Sequence, residues 1–433
     1  MNAHLLKEKS KMENVFSMGK LYVSDFIKDD TDYEGREKYE LTMVLDPKTG
    51  AARLNCQAPH HMMWGKYWYR SGINQTMTRH LKEIVYDTKK IIKLSDGDVW
   101  LDIACNDGTL LSFINDPSAD PYSAETKIHR IGIDPADDTY YNESSKKAEH
   151  VVQDYFSENA FRKVCDKQAK IITTIAMFYD LEDPTQFIAD VYNVLDDNGV
   201  WIVQMSYTPL MIQQMAFDNI CHEHVFYYSL ENLKKLLESN RMKVFNCSLN
   251  DANGGSFRIY IKKDICDDTK IANKQSRDIF KYNVDSILEY EKTLNLSDPL
   301  TWAGFYESVG NLKKETVDFL KKCKQEGKVV CGYGASTKGN TLLQYFGIDN
   351  TLIHSIAERN PQKFGLKTIG SNIPITSEEE VRKVNPDYMI VLPWHFIDEF
   401  IQREDEYLKN GGKFIVPCPE FKIIGYGGIE LDE

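Results

Sequence analysis

The sequence predicts an α/β protein with two doubly wound, Rossmann-like parallel sheets, and three observations predict it. Val99 to Leu111 reads as a buried strand, a tight turn and the start of a helix. Two further strand-like segments follow at the spacing of successive βαβ units, His129 to Asp134, which ends in an acid, and Val151 to Phe156, which sets Asp154 beside aromatics. Far downstream, Lys328 to Thr341 repeats the pattern of strand, glycine turn and helix.

Length and charge narrow the class. A chain of 433 residues with 42% hydrophobic side chains can supply the cores of two or three domains. A net charge of -13 argues against nucleic acid or an anionic membrane as partner, since both reward clustered Lys and Arg. No long uninterrupted apolar stretch appears, and Met1 to Met12 is polar without a secretory core, so a cytoplasmic location is expected. Nine scattered cysteines fit reduced thiols better than a disulfide framework.

Residues 1–80 read as a small irregular module, with candidate strands at Gly19 to Val23 and Tyr39 to Leu45 and a turn at Asp46 to Gly50. Its last stretch, Tyr67 to Met77, is dense in aromatics and suits either a ligand edge or packing between domains. A helix is expected over Thr78 to Lys93, leading into a core over 81–265. In the turn of that core Ala104, Cys105 and Gly108 leave room for a ligand, while Asn106 and Asp107 tolerate unusual dihedrals. Strands four and five are expected at Ile171 to Phe178 and Val200 to Met205.

Phe217 to Ser229 holds the densest ionisable cluster, with His222 and His224 flanking Glu223. If extended, alternation places the two rings on one face and the carboxylate on the other. General base, structural histidines and a metal site all remain open from these residues alone. Residues 266–433 then combine charged helices, broken at Asp298-Pro299, with the second α/β unit. There, helix amides and Lys338 could hold phosphate oxygens, or the turn could be empty of ligand. Strands at Ser355 to Glu358, Tyr388 to Pro393 and Lys413 to Pro417 complete it.

The succession of strand, acid, strand, acid resembles the S-adenosylmethionine site of class I methyltransferases, and the turn lacks the G-x-G-x-x-G of nicotinamide enzymes. The whole chain resembles the sugar C-methyltransferases that act on nucleotide-linked 4-keto-deoxysugars, the mycarose and tetronitrose type. The likeness rests on N-D-G-T-L-L around Asp107, H-E-H-x-x-Y-x-S from His222, G-G-S-F-R around Arg258, Y-G-A-x-x-K-G-N-T-L-L from Tyr333, E-R-N-P-Q-K from Glu358 with Ile373-Pro374-Ile375, and P-D-Y-x-I-V-L-P-W from Pro386.

That resemblance implies a small N-terminal module, a class I methyltransferase core and a C-terminal Rossmann-like domain that helps hold a nucleotide sugar. It implies cofactor contacts from Asp102, Ala104, Asn106, Asp107, Gly108, Asp134, Asp154 and Tyr155, with Asp134 on the ribose and Asp154 near the adenine amine. His224 is then the base that forms an enolate, Glu223 and Tyr227 orient it or touch sugar oxygens, and Tyr69 closes over the reacting end. His222, Arg258, Tyr333, Lys338 and Asn340 are the expected substrate contacts. No metal is required. Two departures stand out: the family's paired C-x-x-C zinc site is reduced to Cys56 with His60 and His61, so zinc is expected to be absent, and Cys221 stands where a tyrosine often precedes H-E-H. Sugar O-methylation, or a scaffold that binds nucleotide sugar or cofactor without catalysis, are the alternatives.

Overall fold

Two runs of buried aliphatic residues set up two seven-stranded sheets, and a computed structural model describes them over residues 12–46, 49–55, 58–59, 62–63, 68–119 and 126–430. In the first sheet the spatial order is Met242–Asn250, Ser256–Lys263, Leu195–Ser206, Ala169–Ile175, Val99–Ile103, His129–Ile133 and His150–Val152. The last five are parallel to one another, and the first two join antiparallel. All five residues of Val99–Ile103 are buried, as a parallel strand covered on both faces requires. The strand order reverses between Val99–Ile103 and Ala169–Ile175, so the crevice for a ligand opens at their carboxyl ends.

The helix before this sheet is Gln75–Ile91, capped by the Asn74 side chain, with Met77, Leu81, Ile84, Val85 and Thr88 buried at helical spacing. It begins three residues earlier than expected, so the anticipated boundary at 80 falls inside a continuous helix. The third parallel strand is also shorter than expected and ends at Val152.

The second sheet runs Ile375–Ser377, Ile356–Glu358, Val330–Tyr333, Tyr388–Val391, Lys413–Val416, Lys422–Gly425 and Gly428–Glu430, with the first five parallel. The glycine of its first turn, Gly334, has φ +82°, and a Cβ there would meet Pro393 at 2.6 Å. Two long helices link the sheets, Lys274–Leu294 and Pro299–Gln325, interrupted at Asp298-Pro299 as the sequence predicts. Neither they nor any other described helix is long and apolar enough to cross a membrane.

The N-terminal module is a sheet of Glu13–Tyr22, Lys38–Asp46 and Ala51–Leu54, and its fourth strand, Phe226–Tyr227, comes from the methyltransferase-like core. Phe26–Ile27 pairs in turn with Lys367–Thr368 of the C-terminal unit. One apolar core accordingly runs from Phe16 and Leu41 through Trp302 to Leu342 and Ile373. The module is thus folded onto both neighbours, and its strand order places the H-E-H segment where all three parts meet.

Candidate active site

The turn after Val99–Ile103 opens because three of its residues adopt positive φ: Ala104 at 58°, Asn106 at 52° and Gly108 at 73°. Asp134, at the end of the neighbouring strand, stitches the turn down. Its Oδ2 accepts the Asn106 N–H at 2.7 Å and its Oδ1 the Ala136 N–H at 2.8 Å. Burial pushes this carboxyl above its ordinary value, and each oxygen keeps lone-pair capacity for a hydroxyl. Asp107 Oδ1 caps the following helix through Thr109 N–H at 3.0 Å.

A strap from the N-terminal side crosses this turn. Ser71 N–H donates to Asn106 Oδ1 at 3.0 Å, Gly72 N–H to Asp107 Oδ2 at 2.8 Å, and Asn106 Nδ2 to the Tyr69 carbonyl at 2.9 Å. Arg70 anchors the strap by an ion pair to Glu143 at 2.8 Å and by lying over the Tyr140 ring. Tyr69 remains 38% exposed, with its hydroxyl pushed up by desolvation and by the charge of Asp107. The arrangement fits a nucleoside cofactor such as S-adenosylmethionine: an open backbone turn, hydroxyl acceptors on Asp134, and a covering strap.

Not every expected cofactor contact joins them. Asp102 lies inside the sheet, where it accepts Thr173 Oγ1 at 2.6 Å and burial carries its pKa to about 7; it supports the turn from below. Asp154 is on the surface in an ion pair with Lys163 at 2.9 Å, and Tyr155 is 58% exposed.

The H-E-H segment is a turn closed by His224 N–H to the Cys221 carbonyl at 3.1 Å, so the alternation expected of an extended segment does not occur and the three side chains diverge. His222 faces the N-terminal sheet, with Nε2 3.3 Å from the Tyr39 carbonyl, and burial lowers its pKa to about 4. His224 faces the cleft. Its Nδ1 lies 2.7 Å from the Asn219 carbonyl, a bond only an Nδ1–H can make, so Nε2 carries the free lone pair. Burial, then the charge of Lys338, lowers the His224 pKa to about 3 and keeps the ring neutral. Its centroid is 4.1 Å from that of Tyr179, in the turn after the fourth parallel strand. Tyr227 Oη donates to the same Asn219 carbonyl at 3.3 Å. Tyr179, Ser206, Thr208, Asn219, His224 and Tyr227 line a cavity of about 10 Å³, room for about one water.

Around this base the tertiary structure gathers Glu223 and Lys338, both expected from the sequence, with Asp180, Asp218 and His395, which the sequence reading does not single out. Asp180, Asp218 and Glu223 each keep one buried oxygen without a partner among the described residues, and burial raises all three carboxyls. Lys338 reaches across from the C-terminal sheet to Asn219 Oδ1, and desolvation lowers its ammonium. His395, lowered to about 3 by burial and then by Lys338, completes the ring of groups. The position of Tyr179 and Asp180 just after the fourth strand was the available signal for those two; His395 offered none, because only folding brings it near.

The remaining expected substrate contacts are used inside the protein. Arg258, 5% exposed, pairs with Asp87 at 3.0 Å and with Gln204 at 3.0 Å. The Tyr333 hydroxyl donates to Glu404 at 2.7 Å and receives Arg403 Nη2 at 2.8 Å. Asn340, fully buried, donates to the Asp25 carbonyl at 2.9 Å. At the second glycine turn Glu358 accepts Ala335 N–H at 2.9 Å, repeating the Asp134 contact, but there Lys363 already sits 3.5 Å from that carboxylate and donates to the Ala335 carbonyl. Ser336 caps the helix, and Lys338 turns to Asn219, so the phosphate cradle expected at this loop is closed by the chain's own groups.

Cys56, His60 and His61 lie outside the described residues. One thiolate does not fit the zinc site of paired C-x-x-C motifs, and among the described residues no His, Cys, Asp and Glu are grouped to hold a metal.

A methyltransferase domain family model matches residues 73–241, and a C-methyltransferase C-terminal domain model matches 251–419. C-methyltransferase NovU of Streptomyces niveus is 25% identical over 92% of this chain and 90% of its own. Among solved structures, the plantazolicin methyltransferase BpumL with SAH is 13% identical, covering 45% of this chain and 87% of its own at a TM-score of 0.34. The mitomycin 7-O-methyltransferase MmcR is 11% identical, covering 44% and 55% at a TM-score of 0.33. With a class I sheet order, a methyltransferase domain model over one part of the chain, a C-methyltransferase C-terminal domain model over the other and a relative matched along nearly its whole length, the chain is an S-adenosylmethionine-dependent methyltransferase similar to the C-methyltransferases.

Proposed function

We propose that the protein methylates the carbon beside the carbonyl of a nucleotide-linked keto-sugar, with His224 as general base. The observation that carries this reading is the 2.7 Å contact from His224 Nδ1 to the Asn219 carbonyl, which leaves a bare, neutral Nε2 facing the cleft. Methylation at carbon needs a carbon nucleophile, and a proton beside a ketone is acidic enough for an oriented imidazole to remove. The polar groups that line the cavity beside His224, Ser206, Thr208, Asn219 and Tyr227, suit contact with a hydroxylated substrate rather than an apolar one.

S-adenosylmethionine, when bound at the 104–108 turn, supplies an electrophilic methyl group on a sulfonium. Asp134 would hold its ribose, and the Tyr69 to Gly72 strap would cover it and exclude water. His224 Nε2 takes the proton from the sugar carbon, whose electron pair passes to the carbonyl oxygen. The resulting enolate carbon would be the acceptor for the methyl that the cofactor, held by Asp134 and covered by the strap, would supply, with the methyl–sulfur bond breaking as the carbon–carbon bond forms. Asn219 keeps the imidazole in the required tautomer and, through Nδ1–H, stabilises the imidazolium that forms. Tyr227 steadies the same carbonyl. In-line placement of carbon and methyl is the remaining requirement, and it is met by positioning alone.

The test is incubation of the purified chain with methyl-labelled cofactor and nucleotide-linked 4-keto-deoxysugars, followed by carbon NMR of the product. A new carbon-bound methyl supports the reading; a label on oxygen replaces it with sugar O-methylation. Binding of only one of the two ligands, with no turnover, would point instead to a scaffold.

A further inference from the structure

We infer that Lys338, contributed by the C-terminal domain, donates to the substrate carbonyl oxygen and stabilises the oxyanion that forms as His224 removes the neighbouring proton. This rests on the reading of His224 as the base and adds a second catalytic residue from a different sheet.

Three observations carry it. First, Lys338 and His224 share one anchor: Nζ reaches Asn219 Oδ1 while the imidazole Nδ1–H is held by the Asn219 carbonyl. The two oxygens of one asparagine are separated by roughly 3–5 Å from covalent geometry. Cation and base are therefore held beside each other by a single residue, one on its side chain and one on its backbone carbonyl. Second, the ammonium has three N–H donors, and among the described residues only the neutral Asn219 amide takes one, with no carboxylate in ion-pair contact. Desolvation lowers its pKa, while Asp218, Asp180 and Glu223 oppose that shift through space without occupying its donors. A cation of this kind is costly to desolvate unless something else completes its shell. Third, Lys338 Nζ is held by Asn219, and Asn219 itself lines the cavity into which His224 faces.

A purely structural lysine would pair directly with one of these acids, as Lys363 does with Glu358. Lys338 resembles instead a donor arranged beforehand toward developing charge, where low polarity strengthens its effect. The balance is simple. The C–H bond breaks, its proton goes to His224, its electron pair becomes the enolate with charge on oxygen, and Lys338 donates a hydrogen bond to that oxygen without giving up its proton. As methyl transfer forms the new C–C bond, the carbonyl returns and the lysine is unchanged.

The experiment separates this step from methyl transfer. A nucleotide-linked 4-keto-6-deoxyhexose is incubated in deuterium oxide with full-length protein and S-adenosylhomocysteine, and loss of the α-hydrogen is followed by NMR. The parent should exchange it. Lys338→Met and Lys338→Gln should slow both exchange and kcat by about 10²–10³-fold, with KM and homocysteine-cofactor affinity within a few fold. The glutamine keeps an N–H for Asn219 and so preserves the packing should the methionine variant fold poorly. Exchange at the parental rate in the glutamine variant, or a loss confined to KM, overturns the assignment of Lys338 while leaving His224 as base. Absence of exchange in the parent, with no carbon-methylated product, overturns the proposed function itself and the role of Lys338 with it.

Discussion

The backbone N–H of Val225 donates to the carbonyl of Tyr179 at 3.0 Å, while the Val225 carbonyl accepts Leu54 N–H at 3.0 Å. The residue after the candidate base is thereby tied on one side to the end of the fourth parallel strand and on the other to the N-terminal sheet. Phe226 and Tyr227 extend that tie by pairing with Arg53 and Ala52. His224 is thus fixed by backbone contacts from two modules, which suits a group that must meet a substrate in one orientation.

His224→Gln should reduce methyl transfer at least ~10²-fold, the usual scale for loss of a general base, and leave binding of S-adenosylhomocysteine unchanged in calorimetry. Because burial and Lys338 lower the ring's pKa to about 3, it is neutral at all pH values above about 5. The kcat/KM profile of the parent should therefore show no acid limb between pH 6 and 7 arising from this residue.

Two acids expected at the cofactor separate by substitution. Asp134→Asn puts an NH₂ against one of two backbone N–H donors, and should weaken cofactor binding by about 1.5–3 kcal/mol, the scale of a charged hydrogen bond. Asp154→Ala removes only an exposed pair with Lys163 and should change stability by less than about 1 kcal/mol. Any large fall in cofactor affinity in that second variant would reveal direct contact; an unchanged affinity would remove Asp154 from the site.

The strap across the turn leaves no room at Gly72, where a Cβ would meet Asp107 Oδ2 at 2.7 Å and Thr109 Oγ1 at 2.9 Å. Gly72→Ala should push the strap away at a cost of about 1–3 kcal/mol. The expected result is weaker binding of S-adenosylhomocysteine by tenfold or more, with a smaller effect on the unfolding midpoint of the ligand-free protein.

His222 gives a stability test. Its pKa is about 4 in the folded protein against an ordinary 6.5, so at intermediate pH the unfolded chain binds a proton that the folded one does not. Stability is full above pH 6.5 and falls as pH drops from there toward 4, by up to about 2 kcal/mol at pH 5 for this ring. His222→Gln, which can still donate to the Tyr39 carbonyl, should make the decline in urea midpoint between pH 7.5 and 5 shallower. An unchanged decline would show that His222 contributes nothing to it.

Much of this architecture could be read from residues close together in the chain. Buried strands such as Val99–Ile103, the break at Asp298-Pro299 and the two glycine turns each follow from local periodicity and turn chemistry. The ligand-binding turn was legible because small residues and positive φ are local requirements. The shape of the H-E-H segment was not legible, since a three-residue run can alternate or turn, and the hydrogen bond from His224 N–H to the Cys221 carbonyl decides for the turn.

By itself, then, the sequence determined the order of strands and helices, the open turn at 104–108 with Asp134 behind it, and the presence of the two histidines that flank Glu223. Tertiary structure alone decided which polar groups are free to meet a ligand. Arg258 and Tyr333 are paired with Asp87 and Glu404, and the Asn340 amide donates to the Asp25 carbonyl, whereas Lys338 is carried on the helix Thr337–Phe346 of the C-terminal unit to Asn219 beside His224. The reason is physical: periodicity and turn preference act over a few residues, but the partner that satisfies a buried charge or hydrogen bond is chosen by packing between segments more than a hundred residues apart, as for Asn219 and Lys338.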